Sequence, residues 1–186
     1  MTDQKEIHGK PTLLAEIESA GREIDSCFSS LPPEVLIARS SGDWRGAQTL
    51  EHLVKFVESV AFGLALPKKY IRRRWGTPGR PSGGFHDVRR WYAQALAGGM
   101  QSPEDYNPPE APSVDSAAYR TELLGRWRTA HEKWIRNLED WTDAELDEYC
   151  LPHPLFGSMT VRENLFYALC HIQDHLDGER GRAEEE

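Results

Sequence analysis

No stretch of this sequence approaches the ~20 consecutive apolar residues that a membrane span requires. Met1 to Pro11 carries charges where a secretory signal would need an apolar segment. The expectation is a cytoplasmic protein with no membrane partner. Cysteine is scarce: Cys27, Cys150 and Cys170 are an odd set without CxxC spacing, which argues against a disulfide framework and reads as reduced thiols buried as small hydrophobes. HExxH, GxSxG, P-loop and GxGxxG patterns are all missing, so zincin, serine-hydrolase and nucleotide-binding chemistries lack support. No alternating polar and apolar run is long enough to signal a useful strand.

What is present suits one core. A length of 186 residues, 39% hydrophobic, with six each of Trp, Tyr and Phe, is enough for one sizeable core and short for two, so a single domain over 1–186 is expected. The net charge of −8 is unevenly spread: residues 68–90 hold eight cations, from Lys68 to Arg90, against Asp87 alone, which leaves the remainder near −15. Such a segment can steer an anionic substrate or form a solvated helix end and loop, while the acidic remainder would repel a phosphate backbone. Nucleic acid is therefore not an expected partner. Residues 179–186 read as an acidic tail.

Apolar periodicity predicts four helices. Leu13, Leu14, Ile17, Ala20, Ile24, Cys27, Phe28 and Leu31 recur at helical spacing, with Thr12 as N-cap and Pro32-Pro33 as the stop. Leu50, Leu53, Val54, Val57, Ala61 and Leu64 form a second stripe that must end or kink at Pro67. Residues 75–115 are punctuated by Gly and Pro and read as a long crossover, with a short helix from Asp87 to Leu96. Tyr119, Leu123, Leu124, Trp127, Ala130, Trp134 and Leu138 form the third stripe. Thr142 and Glu145 have capping-box spacing and open one or two turns; Thr160 and Glu163 repeat it before the fourth helix, expected to run to about Gly178. Four such stripes are buried most simply in an all-α four-helix bundle with a long crossover between helices 2 and 3.

The chemistry lies in the histidines. His171 and His175 are four residues apart on the last helix, so both imidazoles project from one face, with Asn164 and Ala168 on the same ladder. His52 sits in the second helix beside Phe56 and Gly63. Two imidazoles from one helix and a third from its neighbour would hold a divalent ion with a position left open, although spacing of this kind also fits satisfied or partly exposed histidines. His131, inside the third stripe, is either a further ligand or, as its apolar neighbours Trp127 and Trp134 favour, a packed core histidine. His8, His86 and the proline-flanked His153 have no partner pattern and are set aside.

Two segments resemble a known family. Trp44 to Leu53, WRGAQTLEHL, is similar to the opening of helix 2 in the DinB-like superfamily, also called the YfiT-like metal-dependent hydrolases. His153-Pro154 followed by LFGSMTVRENLFYALCHIQDHL, Leu155 to Leu176, is similar to that superfamily's last-helix segment ending in HxxxH. The sequence departs from many relatives at Arg45 and Gly178. The resemblance implies an up-down-down-up bundle and a divalent metal, zinc or nickel, held by His52, His171 and His175. It implies either a metal-dependent hydrolase or a transferase using a low-molecular-weight thiol, alongside members that carry out no assigned reaction.

The alternative is a non-enzymatic metal- or ligand-binding stress protein or scaffold. No carboxylate has a compelling general-base position; Glu58, Glu163 and Asp174 are merely near the histidines in sequence. Trp44 and the Pro154–Gly157 turn are expected to support the site. A homodimer is expected as the way to cover surplus aromatics such as Trp75, Trp91, Tyr92 and Trp141.

Overall fold

Each of the four apolar stripes becomes one long helix, and the segments between them fold against those helices. The computed structural model describes residues 7, 9–37, 44, 46–108 and 116–185, with side chains through Arg182. The helices are α1 (Gly9–Ser30), α2 (Pro33–Leu36), α3 (Ala47–Ala65), α4 (Lys68–Trp75), α5 (Phe85–Ala97), α6 (Ser116–Glu139), α7 (Asp143–Glu148) and α8 (Val161–Glu185). Strands β1 (Cys150–His153) and β2 (Gly157–Thr160) pair antiparallel, Cys150 opposite Thr160. The fold is all-α, with α1, α3, α6 and α8 as the bundle.

What the helix ends touch gives their directions. Lys10 Nζ, at the start of α1, donates to the carbonyls of Glu139 and Trp141 beyond the body of α6, at 2.8 and 2.6 Å, so these helices are antiparallel. Arg180 late in α8 pairs with Glu23 in the second half of α1 at 3.0 Å, so these two run together. Tyr119 donates to Glu51 at the starts of α6 and α3 (3.0 Å), and Asn137 to the Ala61 carbonyl at their ends (2.8 Å), so α3 and α6 are parallel neighbours. Thr49 at the start of α3 donates to Glu179 near the end of α8 at 2.9 Å, making that pair antiparallel. The order is up, down, down, up. Parallel neighbours cannot share a tight turn, and the chain must return along the ~28 Å of α3 before α6 can begin. That return holds α4, α5 and a 3-10 turn at Glu104–Tyr106. Residues 109–115, with Pro109 and Pro112, lie outside the described residues.

The core is built from the predicted stripes: Leu13, Ile17, Ile24 and Phe28 of α1 meet Trp127, Trp134 and Leu138 of α6, all essentially inaccessible. Gly21 is needed for that approach, because a Cβ there would lie 2.1 Å from the His131 ring. His131 Nε2 bonds the Ile17 carbonyl at 2.9 Å, and its ring stacks on Trp127, which makes it a packed core histidine.

Several boundaries differ from the sequence expectation. Helix α1 starts at Gly9, three residues before Thr12, because its first turn is capped from far along the chain: Asp143 accepts the Lys10 amide at 2.8 Å. The chain past Pro67 starts a separate helix, α4. Helix α8 passes Gly178 and takes in most of the expected acidic tail, since Glu179 is anchored against α3; Glu186 lies outside the described residues. The β1–β2 hairpin had no periodic signal, as each strand has four residues. The basic segment is partly neutralised within the fold: Lys68 pairs with Glu145 at 2.7 Å and lies over the Trp141 ring, and Arg72 approaches Glu148 at 3.7 Å and lies over Tyr149. Tyr92 and Trp141 are buried, so they are not apolar surface left over for a second copy. Among the described residues no helix is long and apolar enough to cross a membrane.

Glu163 joins the crossover to the bundle. Its side chain is inaccessible and closes the predicted capping box with Thr160, whose amide it accepts at 3.0 Å. It also accepts the Gly83 amide at 2.7 Å and the Arg80 guanidinium. Replacing Glu163 by Ala orphans these donors and is expected to cost about 2–4 kcal/mol in urea denaturation, whereas an unchanged midpoint would show that the crossover is held elsewhere.

Candidate metal centre

The three histidines come together where α3 begins and α8 nears its end. Gly46 turns the chain into α3 with φ of 50°, a left-handed conformation, and a Cβ there would lie 2.4 Å from the Leu36 carbonyl. Glu179, one turn after His175, accepts from the Gly46 amide (3.3 Å) and from Thr49 Oγ1 (2.9 Å), one turn before His52. This clamp fixes the axial position of His52 against His171 and His175. The ring centroids are 5.0 Å apart for His52 with either partner and 4.6 Å for His171 with His175. One nitrogen from each lies within 4.8 Å of the others.

Hydrogen bonding decides where the ring protons sit. The Tyr106 carbonyl can only accept, so His52 Nδ1, at 2.9 Å, carries the proton and Nε2 has a lone pair. Tyr92 gives its hydroxyl proton to Asp174 at 3.1 Å and lies 3.4 Å from His171 Nδ1, from which its oxygen can accept in the tautomer that carries the proton there. The two Nε2 atoms lie 2.8 Å apart: in that tautomer both lone pairs converge and can ligate one cation, and in the other the Nε2–H of His171 donates to His52. A tetrahedral ion with bonds of ~2.0 to 2.1 Å to nitrogen sets its ligands ~3.3 Å apart, within the spread of the three nitrogens. The donor set could bind a metal, and imidazole ligation suits a first-row ion.

Burial tunes the same groups. It lowers the pKa of His52 against the opposing Tyr106 hydrogen bond, and it lowers His171 well below the ordinary imidazole value, helped by its His175 and His52 neighbours. Burial, with His52 and Arg182 nearby, brings His175 down to about 3. Imidazoles held neutral are ready to ligate without competition from protons. Burial also pushes the Cys170 thiol up to about 12, which removes it as a thiolate nucleophile.

The cluster opens on a cavity of about 670 Å³ lined by α3, the crossover, the hairpin and α8. Phe56 lies 4.5 Å from the His171 ring, and Trp44, half-buried, lies 4.9 Å from that of His52. Pro154 and Leu155 of the hairpin turn also line the cavity. The carboxylates separate by role. Glu163 is consumed in capping, Glu58 is exposed, and Asp174 is the one carboxylate among the described residues lining the cavity.

Sequence reasoning missed three participants. Tyr92 and Tyr106 act through the crossover, and the contribution of Tyr106 is a backbone carbonyl with no sequence signature. His153, set aside for its flanking prolines, lines the cavity and packs 4.1 Å from Tyr167; its position in the segment ahead of HxxxH was the available signal. His86 packs on Phe85 away from the cluster, and His8 and Arg45 lie outside the described residues.

The metal-free protein should lose stability in acid. Burial depresses His153 to about 4 and His175 to about 3, whereas both would titrate near 6.5 in the unfolded chain. Their contribution is complete above pH 6.5 and lost as pH falls towards 4 and 3, at up to ~1.4 kcal/mol per pH unit for each. Urea midpoints from pH 7.5 to 5 should fall accordingly, and a flat profile would show that these rings are protonated in the fold.

The DinB superfamily matches residues 16–177. Among solved structures, the chain is similar to TT2238, described as a four-helix bundle protein, at 19% identity and a TM-score of 0.50, covering 92% of this chain and 98% of that one. It also aligns with the colibactin self-resistance protein ClbS, solved in complex with a dsDNA, at 12% identity and a TM-score of 0.48, covering 95% and 96%. No curated protein matches. The family match spans the bundle from α1 to the turn after His175, and the chain belongs to the DinB superfamily.

Proposed function

We propose that this chain is a metal-dependent enzyme of the DinB superfamily, a hydrolase or thiol-dependent transferase, whose divalent zinc or nickel ion is held by His52, His171 and His175. The observation that carries this reading is the convergence of three imidazoles, one nitrogen of each within 4.8 Å of the others, at the edge of a substrate-sized cavity. When bound, an ion with three imidazole ligands and an open position supplies a Lewis acid that lowers the pKa of water or of a thiol.

The chain's own residues orient and enclose. The Tyr106 carbonyl holds the Nδ1 proton of His52, and Tyr92, held by Asp174, stands against Nδ1 of His171. Trp44 shields the His52 side. The cations of residues 68–90 are not part of this reading: none of their Lys or Arg residues lines the cavity, and several are paired with α7 and α8, which favours neither an anionic substrate nor nucleic acid. A cytoplasmic homodimer completes the proposal, and sedimentation at twice the 21.2 kDa chain mass would support it.

Metal-free protein titrated with zinc or nickel should take up one ion per chain. His171→Ala and His175→Ala should each weaken uptake at least ~100-fold while helix content by circular dichroism stays near wild type. Wild type should turn over an activated ester such as p-nitrophenyl acetate or a thiol conjugate, lose that turnover to a chelator and regain it with the ion. Uptake without turnover would indicate a binding module, and failure of uptake would remove the centre itself. Trp44→Ala should weaken ion affinity about 10-fold and lower stability by ~1–3 kcal/mol, since the ring is only half-buried. Unchanged values in calorimetric titration and urea denaturation would count against its supporting role.

A further inference from the structure

One polar side chain on the cavity wall has only half of its hydrogen-bonding capacity used. His153 closes β1 and is 8% exposed, packed between Tyr167 at 4.1 Å and Phe156 at 5.1 Å. Its Nδ1 accepts the backbone N–H groups of Leu155 (3.2 Å) and Phe156 (3.3 Å). A nitrogen that accepts two N–H groups is unprotonated, so the ring proton is on Nε2. Among the described residues Nε2–H has no acceptor, and it is not one of the buried polar atoms sealed in the core without a partner. The ring lines the cavity. Burial holds the imidazole neutral down to about pH 4, which preserves this single donor at physiological pH.

The other walls define what would carry the missing acceptor. Among the described residues no Lys or Arg lines the cavity and Asp174 is its one carboxylate, so no side chain there balances an anionic ligand. Phe56, Val60, Trp75, Leu96 and Met100 make much of the lining apolar. His153 is connected to the imidazole cluster through one ring, Tyr167, which stacks on His171 at 5.9 Å. A ligand spanning that distance can reach both.

We propose that His153 donates its Nε2–H to the carbonyl oxygen of an uncharged, largely apolar substrate, an ester, amide or ketone, held in this cavity beside the three histidines. The assignment rests on the cavity being the substrate site of the enzyme proposed above, and it requires no ion. Its test therefore uses metal-free protein, so that failure of ion uptake and failure of the His153 role are read separately.

The probes are acetophenone and its isosteric hydrocarbon α-methylstyrene, titrated by NMR against wild type, His153→Asn and His153→Gln. In His153→Asn the amide oxygen can still accept the loop N–H groups while the outward donor is lost; in His153→Gln the amide nitrogen reaches the place of Nε2. The ketone-over-alkene affinity ratio should fall about 3- to 10-fold in the Asn variant, the worth of one hydrogen bond, and recover in the Gln variant. A purely structural role in the hairpin would move stability and leave that ratio alone. Equal ratios in wild type and the Asn variant would overturn the proposal. So would nitrogen NMR placing the His153 proton on Nδ1.

Discussion

Two neighbouring helices that run in the same direction dictate most of what surrounds the histidines. Because α3 and α6 are parallel, joined by Tyr119 and Glu51 at one end and Asn137 and Ala61 at the other, the chain between them must travel back along the bundle. It does so over the side on which His52, His171 and His175 converge. The return path supplies Tyr92, Leu96, Met100 and Tyr106 as one wall of the cavity, together with the partners of Nδ1 on His52 and His171.

Burial and hydrogen bonding divide the work on these rings. Removal from water keeps the imidazoles uncharged, while the Tyr106 carbonyl holds the Nδ1 proton of His52 and turns its Nε2 towards His171. Two buried glutamates keep the scaffold in register for this. Glu179 ties the end of α8 to the start of α3, and Glu163 ties the crossover to the start of α8. Each accepts several N–H or O–H donors, which is how a carboxylate tolerates so little water.

What was legible in the sequence was whatever repeats or caps locally. The four stripes, the stop at Pro67, the capping boxes at Thr142 and Thr160 and the placement of His171 and His175 on one face all depend on residues within a turn of one another, and all are present in the fold. Long-range partners were not legible. Asp143 capping α1, Glu179 carrying α8 past Gly178 and the Tyr106 carbonyl holding His52 pair residues that no local window relates. His153 was misjudged because its flanking prolines read as a loop, whereas Pro152 and His153 belong to a strand of a hairpin too short to show a period. The match to the DinB superfamily agrees with the resemblance carried by the Trp44–Leu53 and Leu155–Leu176 segments.

The up-down-down-up order also governs how the chain can fold. In a simple up-down bundle each helix docks on the next as soon as both exist, and hairpins can zip in sequence. Here α1 packs chiefly on α6 and α8, so the first helix of the bundle waits for partners that begin at Ser116 and Val161. Closing such long loops costs entropy before any contact returns it, and folding rates fall as the mean sequence separation of contacts rises. Although built mostly of helix, this chain pairs helices far apart in sequence, and it is expected to fold more slowly than an up-down bundle of the same length.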